Sequence, residues 1–235
     1  MRAALAAYGR VLRQAATGQA TPVDLLTPAG HRLVRMDAAH WCGQPRPGDE
    51  ALLESCNSST LDVGCGPGRL VTALALRGVP ALGIDVSAEA ITQARSRGAA
   101  ARLCDVFSEV PDAGWWGHIL LADGNIGIGG DPARLLRRCA RLLRSGGSLL
   151  VELGAPGSGT WRRPVVLQHN GICSPPFWWA AVAFGDLEPI AARAGLRVIH
   201  GTTIAGRWFA WLRPVNLEGR SHGARNGYRR RLGAV

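Results

Sequence analysis

Apolar and polar positions follow two rhythms along this chain, and the switches between them mark out its elements. Leu61 and Val63 read as buried strand positions, and Leu70, Val71, Leu74 and Ala75 follow at helical spacing. Ala81-Leu-Gly-Ile-Asp85 is a second apolar run. Ser87 then caps a helix over residues 88–97, which Gly98 ends. Ala101 to Phe107 reads as a third strand running into a loop, His118 to Ala122 as a fourth and Ser148 to Leu153 as a fifth. Between the last two, Asp131-Pro132 opens a helix that buries Leu135, Leu136, Leu142 and Leu143. The same helix turns Arg134, Arg137, Arg138, Arg141 and Arg144 to solvent and stops at Gly146-Gly147. Strands alternating with helices predict an α/β fold: a doubly wound, mostly parallel sheet with helices on both faces and ligand loops beyond the carboxyl ends of the strands.

The flanks are less regular. Residues 1–59 carry Pro22, Pro28, Pro45 and Pro47 between helical pieces, so they form a helical cover against the sheet or over the ligand. Leu5, Tyr8 and Leu12 share one face of a first helix, although an arginine-bearing, acid-free start also fits a transit peptide. Asp49 is placed to cap a helix reaching about Cys56. Residues 154–185 lack a helical pattern and hold Trp161, His169, Phe177, Trp178 and Trp179, and Asp186 starts the next helix. Leu196 to Thr203 and Arg207 to Arg213, joined by Ile204-Ala-Gly206, predict a C-terminal antiparallel hairpin with Trp208 and Trp211 on opposite faces. One domain over 1–213 follows, divided at 60 and 153, with a basic tail over 214–235.

Composition narrows the class. The formal charge is +10 and all 27 basic residues are arginine, which reflects a GC-rich codon bias as much as a polyanionic partner. Six arginines against one glutamate lie between Arg213 and Val235, in a Gly-, Asn- and Ser-containing stretch that reads as disordered. That tail lacks interleaved aromatics, so it is weak support for nucleic-acid binding. Six cysteines without a C-x-x-C pair and six scattered histidines point to reduced thiols, a cytoplasmic setting and no metal. No run of 18 apolar residues occurs, so no membrane span is expected.

The candidate chemistry sits at Thr60-Leu-Asp-Val-Gly-Cys-Gly-Pro-Gly-Arg69. Gly64, Gly66 and Gly68 strip the turn of Cβ atoms and let a ligand approach the backbone at a helix N-terminus. The turn is G-x-G-x-G, with Arg69 where the third glycine of the dinucleotide fingerprint would fall. Asp85, at the tip of the second strand, is placed to accept from both hydroxyls of a ribose. Together the two segments resemble motif I and the acidic post-motif of class I S-adenosylmethionine-dependent methyltransferases.

The resemblance implies S-adenosylmethionine as cofactor. It sets the backbone of Gly64, Cys65, Gly66 and Gly68 against the methionine and ribose, and Asp62 near the methionine ammonium. It places Asp85 at the ribose, counts Val86 among the cofactor-binding residues, and sets Asp105, Val106 and Phe107 at the adenine. Asp123, Gly124 and Asn125 fall where the family carries motif IV, lining the methyl-transfer site. The family's N-terminal elements often cover the methionine end, for which His40 and Trp41 are candidates. Ser174-Pro-Pro-Phe177 imitates an amino-group methyltransferase signature but follows the wrong strand, and reads as a turn.

The favoured activity is methyl transfer to an oxygen or nitrogen of a small aromatic or apolar molecule. His169 is the preferred general base and Asp123 the second choice. Methylation of RNA or protein, and a non-catalytic cofactor-binding role on the same fold, are the alternatives. Oligomeric state is not readable from the residues.

Overall fold

The computed structural model describes residues 2–215, and the basic tail beyond Val215 lies outside them. From the N-terminus, helix α1 (Arg2–Ala15) leads into strands β1 (Pro22–Leu26) and β2 (Arg32–Asp37), then α2 (Ala39–Cys42) and α3 (Asp49–Ser55). Next come β3 (Thr60–Val63), α4 (Arg69–Leu76), β4 (Ala81–Asp85), α5 (Ala88–Ser96), β5 (Ala101–Leu103) and β6 (Trp116–Leu121). A 3-10 turn (Asn125–Gly130) precedes α6 (Pro132–Leu142) and β7 (Leu143–Leu153). Strands β8 (Trp161–His169), β9 (Ile172–Cys173) and β10 (Phe177–Ala181) follow, then α7 (Leu187–Arg193), β11 (Leu196–Ile204) and β12 (Arg207–Pro214).

The main sheet runs β11-β12-β7-β6-β3-β4-β5. Strands β3 to β7 are mutually parallel, and β12 enters antiparallel between β7 and β11. Because β3 sends its successor to one side and β6 lies on the other, the chain reverses direction across the sheet at β3, and a crevice opens at the carboxyl ends there. Period two sorts the strand residues between two cores. Ile119, Leu121, Leu149 and Val151 meet α6 and α7 through Leu135, Leu136, Leu187 and Ile190. Leu120 and Leu150 meet α3 and α4 through Leu52, Leu53, Leu70 and Leu74. Local signals hold the helices in register: Ser87 Oγ accepts from Ala90 N (3.3 Å), and Asp131 Oδ1 from Arg134 N (3.0 Å) ahead of Pro132.

Several parts differ from the sequence reading: α6 ends at Leu142 rather than at Gly146-Gly147, so Leu143 and Arg144 belong to β7, and β5 stops at Leu103 rather than reaching Phe107. Residues 22–37 form a β-hairpin rather than helix, and β1 pairs with β8, Asp24 opposite Gln168, to build a second sheet ordered β10-β8-β1-β2. The cover is therefore sheet plus helix, drawn from both flanks. Its underside packs Val23, Leu25, Val165 and Leu167 against Val11 and Ala15 of α1, with Tyr8, Trp41, Trp161, Phe177 and Trp179 around them. Asp49 does not cap α3 from outside. It is the first helical residue, behind Gly48, and is wholly buried. The arginine face of α6 also does more than meet water: Arg138 donates to the carbonyls of Val106 (2.8 Å) and Ser108 (2.6 Å), tying α6 to the loop after β5. Among the described residues no helix is long and apolar enough to cross a membrane.

Candidate active site

The glycine turn leaves β3 with positive φ at Gly64 (74°), Gly66 (52°) and Gly68 (83°), the region where a Cβ strains the backbone. Gly64 is further constrained by a neighbour, since a Cβ there would come within 2.7 Å of the Asn125 side-chain amide. That amide donates from Nδ2 to the carbonyls of Val63 (3.0 Å) and Gly64 (2.9 Å), so Asn125 closes the end of β3. Gly64→Ala is expected to destabilise the protein by about 1–3 kcal/mol, left-handed strain adding to displacement of Asn125. A denaturant melt with an unshifted midpoint would show the turn to be more forgiving than this.

Three carboxylates surround the turn in different states. Asp85 accepts from Gly66 N at Oδ2 (3.0 Å) and from Ser87 N at Oδ1 (2.8 Å). Burial raises its pKa and these backbone donors pull it back down, short of the ordinary value. Asp62 is 2% exposed and, among the described residues, makes neither a hydrogen bond nor an ion pair. Burial first, then the charges of Asp123 and Asp85, push its pKa up to about 8. The third carboxylate, Asp123, stands two residues beyond β6 with a positive φ of 52°. Its Oδ1 accepts from Arg46 (2.7 Å) and its Oδ2 from Arg69 (2.5 Å), with Arg207 at 3.7 Å.

Tyr8 of α1 lies over this group, and composition and spacing had marked it only as one apolar-face residue of a helix. Its hydroxyl is 3.5 Å from where a Gly66 Cβ would stand. Burial, then the charges of Asp85, Cys65, Cys42 and Asp123, raises its pKa. Trp41 packs edge-on against its ring at 5.9 Å, while His40 is exposed. Farther along the crevice, Gly124 has open space where a Cβ would point, and Gly127 lies against the indole of Trp179.

Other expected site residues separate here. Val86, 43% exposed, and Asp105, exposed with Oδ1 accepting from Phe107 N (2.9 Å), stand at the strand ends as expected. Val106 instead turns into the main core, and the Phe107 ring lies under the Arg134 guanidinium (4.2 Å) with its edge against Gly129. His169 is not brought to the crevice. It sits at the seam of α1, β1 and β8, where Nδ1–H donates to the Pro22 carbonyl (2.7 Å) and Nε2 lies 2.8 Å from the Gln14 side-chain amide. With both ring nitrogens engaged there, the assignment of His169 as base is replaced by a structural one. Asp123 reaches the crevice, but its carboxylate is engaged by arginines. Ser174 is buried, its hydroxyl accepting from Leu167 N (3.0 Å), so the Ser-Pro-Pro-Phe segment, read as a turn from sequence, is instead an extended lead into β10 bonded to β8.

The sheet order, the reversal at β3 and the glycine turn at that reversal define the class I methyltransferase fold. Residues 61–151 match the family model described as "Methyltransferase domain". The match spans the parallel half of the sheet, and the chain around it shares the fold of S-adenosylmethionine-dependent methyltransferases. No curated protein matches it in sequence. Among solved structures it is similar to an S-adenosylmethionine-dependent methyltransferase from Bacteroides fragilis in complex with S-adenosyl-L-homocysteine (TM-score 0.71, 21% identity, 88% of this chain and 93% of that one). It is also similar to the CcbJ methyltransferase from Streptomyces caelestis (TM-score 0.59, 16% identity, 75% and 92%). A third similar structure is NcsB1, an O-methyltransferase from neocarzinostatin biosynthesis in complex with S-adenosyl-L-homocysteine and 1,4-dihydroxy-2-naphthoic acid (TM-score 0.52, 22% identity, 67% and 49%).

Proposed function

We propose that this enzyme methylates a nitrogen or oxygen of a small, flat and largely apolar molecule held between the glycine turn and the second sheet. The observation that carries the reading is Asp62: a buried carboxylate with no partner among the described residues, set beside a bare glycine turn, calls for a cation. The methionine ammonium of S-adenosylmethionine meets that demand. Asp85, with lone pairs left over after two backbone bonds, accepts from the ribose hydroxyls, and Val86 and Asp105 serve the adenine side. When bound, the cofactor supplies a methyl group activated by a sulfonium charge. The chain's own work is to align, to exclude water and to cover.

The acceptor class rests on the cover. Tyr8 adjoins the turn with Trp41 edge-on against its ring, Trp179 adjoins Gly127 with Phe177 edge-on against it, and all four pack on the core of the second sheet. Such walls suit a planar or apolar body, and the naphthoic acid bound by the similar neocarzinostatin enzyme is of that kind. With Asp123 engaged by arginines and His169 elsewhere, the reading favours an acceptor that is nucleophilic as it arrives: a neutral amine or an ionised oxygen.

Calorimetric titration with S-adenosylhomocysteine and, separately, with NAD tests the cofactor half. Heat with NAD alone overturns it. Mass spectrometry of aromatic amines and phenols incubated with a labelled methyl donor tests the acceptor half. Tyr8→Phe provides a third check. The hydroxyl makes no hydrogen bond among the described residues, so its loss should spare stability while weakening S-adenosylhomocysteine binding about three- to tenfold. Equal affinities would remove Tyr8 from the site.

A further inference from the structure

Five residues distant in sequence close a ring beneath the crevice. Arg69, the first residue of α4, pairs through its guanidinium with Asp49 of α3 and with Asp123. Asp49 Oδ1 accepts from Arg207 of β12 (2.7 Å). Arg207 in turn makes a two-point contact with Glu152 of β7, Nε to Oε1 and Nη2 to Oε2, both 2.8 Å. Glu152 Oε2 then accepts from the backbone N–H of Asp123 (2.7 Å), returning to the start. Arg46 joins from outside through Asp123 Oδ1, so three arginines face three carboxylates. Arg69 is 3% exposed and Asp49 not at all.

A buried ring of this kind is a poor source of stability, because desolvation offsets most of its Coulomb attraction. Its output is geometry. Asp123 is held by both its side chain and its N–H at φ 52°, followed by Gly124 at 81°, two consecutive left-handed residues at the mouth of the crevice. Outside glycine such backbone is strained and persists where its surroundings over-determine it. Two residues on, Asn125 bonds the carbonyls at the end of β3, so the loop is tied to the glycine turn at both Arg69 and Asn125.

We infer that Arg69, which occupies the place of the fingerprint's third glycine, is a positioning residue that locks the acceptor-side loop 123–130 to the cofactor turn through this ring. The inference rests on the cofactor site proposed above, and its acceptor-side consequence belongs to that site. Occupying the turn would stiffen the loop before any acceptor arrives.

Hydrogen exchange on the full chain, free and with saturating S-adenosylhomocysteine, tests this. In the free protein Arg69→Gln should exchange amides of 123–130 about tenfold faster than wild type while amides of β4 and of residues 148–151 keep their rates. Uniform acceleration, or rates in 123–130 within about twofold of wild type, would overturn the inference. With the ligand, wild type should gain protection at both 64–70 and 123–130. Arg69→Gln should gain it only at 64–70, and Arg69→Lys, keeping the charge but not the fork, should recover part of the loop's protection. If Arg69→Gln does not fold, Asp123→Asn, of nearly equal shape, is held to the same rates. A wild type that ignores S-adenosylhomocysteine sinks the cofactor reading, and the free-protein rates still decide the ring.

Discussion

Asp85→Ala should deprive the protein of its cofactor and of part of its fold together. The carboxylate is 7% exposed and satisfies two backbone donors, Gly66 N in the glycine turn and Ser87 N at the cap of α5. Removing it leaves both N–H groups without their acceptor, about 1–3 kcal/mol each where they stay dry. Loss of its remaining lone pairs also leaves the ribose hydroxyls unmatched, and affinity for S-adenosylhomocysteine should fall well over tenfold, each factor of ten being about 1.4 kcal/mol. Asp85→Asn separates the effects. Its amide oxygen keeps one backbone donor, so it should melt closer to wild type yet bind the ligand nearly as poorly. Calorimetry and a denaturant melt on the same preparations check this, and an alanine variant that binds at wild-type strength would remove Asp85 from the ribose.

Asp62→Asn should move stability and binding in opposite directions. In the folded chain burial holds the Asp62 proton up to about pH 8, against an ordinary value of 3.8. Between those values the unfolded chain has released a proton that the folded chain keeps. Wild-type stability contributed by this group is therefore intact below pH 3.8, falls by about 1.4 kcal/mol per unit as pH rises, and levels off above 8. Asparagine carries no such slope. The variant should gain on wild type between pH 5 and 8 by several kcal/mol, the order of magnitude that linkage allows, while losing ligand affinity. Binding to wild type near pH 7 should also expel a proton as the ammonium ionises Asp62, so the heat should change with the ionisation enthalpy of the buffer. Parallel pH profiles for the two proteins would sink the assignment.

The parallel half was legible because its signals are local. A strand of Leu61 and Val63, a turn that only glycine tolerates and helices with caps at Ser87 and Asp131 all announce themselves within a few residues. The second sheet was not, because β1 begins with a proline, β2 is half charged and exposed, and the partner that orders them is β8, far along the chain. The ring was hidden for the same reason. Asp49 looks like a helix cap and Arg207 and Glu152 like strand-edge charges until the fold brings them together. Among the site residues, the turn, Asp62, Asp85 and the 123–125 loop gather as their spacing implied. Val106 faces the core, and His169 is drawn to α1 by Gln14, an interaction no motif encodes.

The pairing of Asp24 with Gln168 also has a consequence for biogenesis. The stretch from Thr60 to Leu153 is continuous, so its strands can find each other while the ribosome is still at work. The first hairpin, though made much earlier, has to wait for β8 to emerge before its free edge is covered. Until then β1 offers unpaired N–H and C=O groups to any passing strand. Premature termination between Leu153 and Trp161 leaves β1 without β8 and β7 without β12, and should therefore yield chains that aggregate through those two edges.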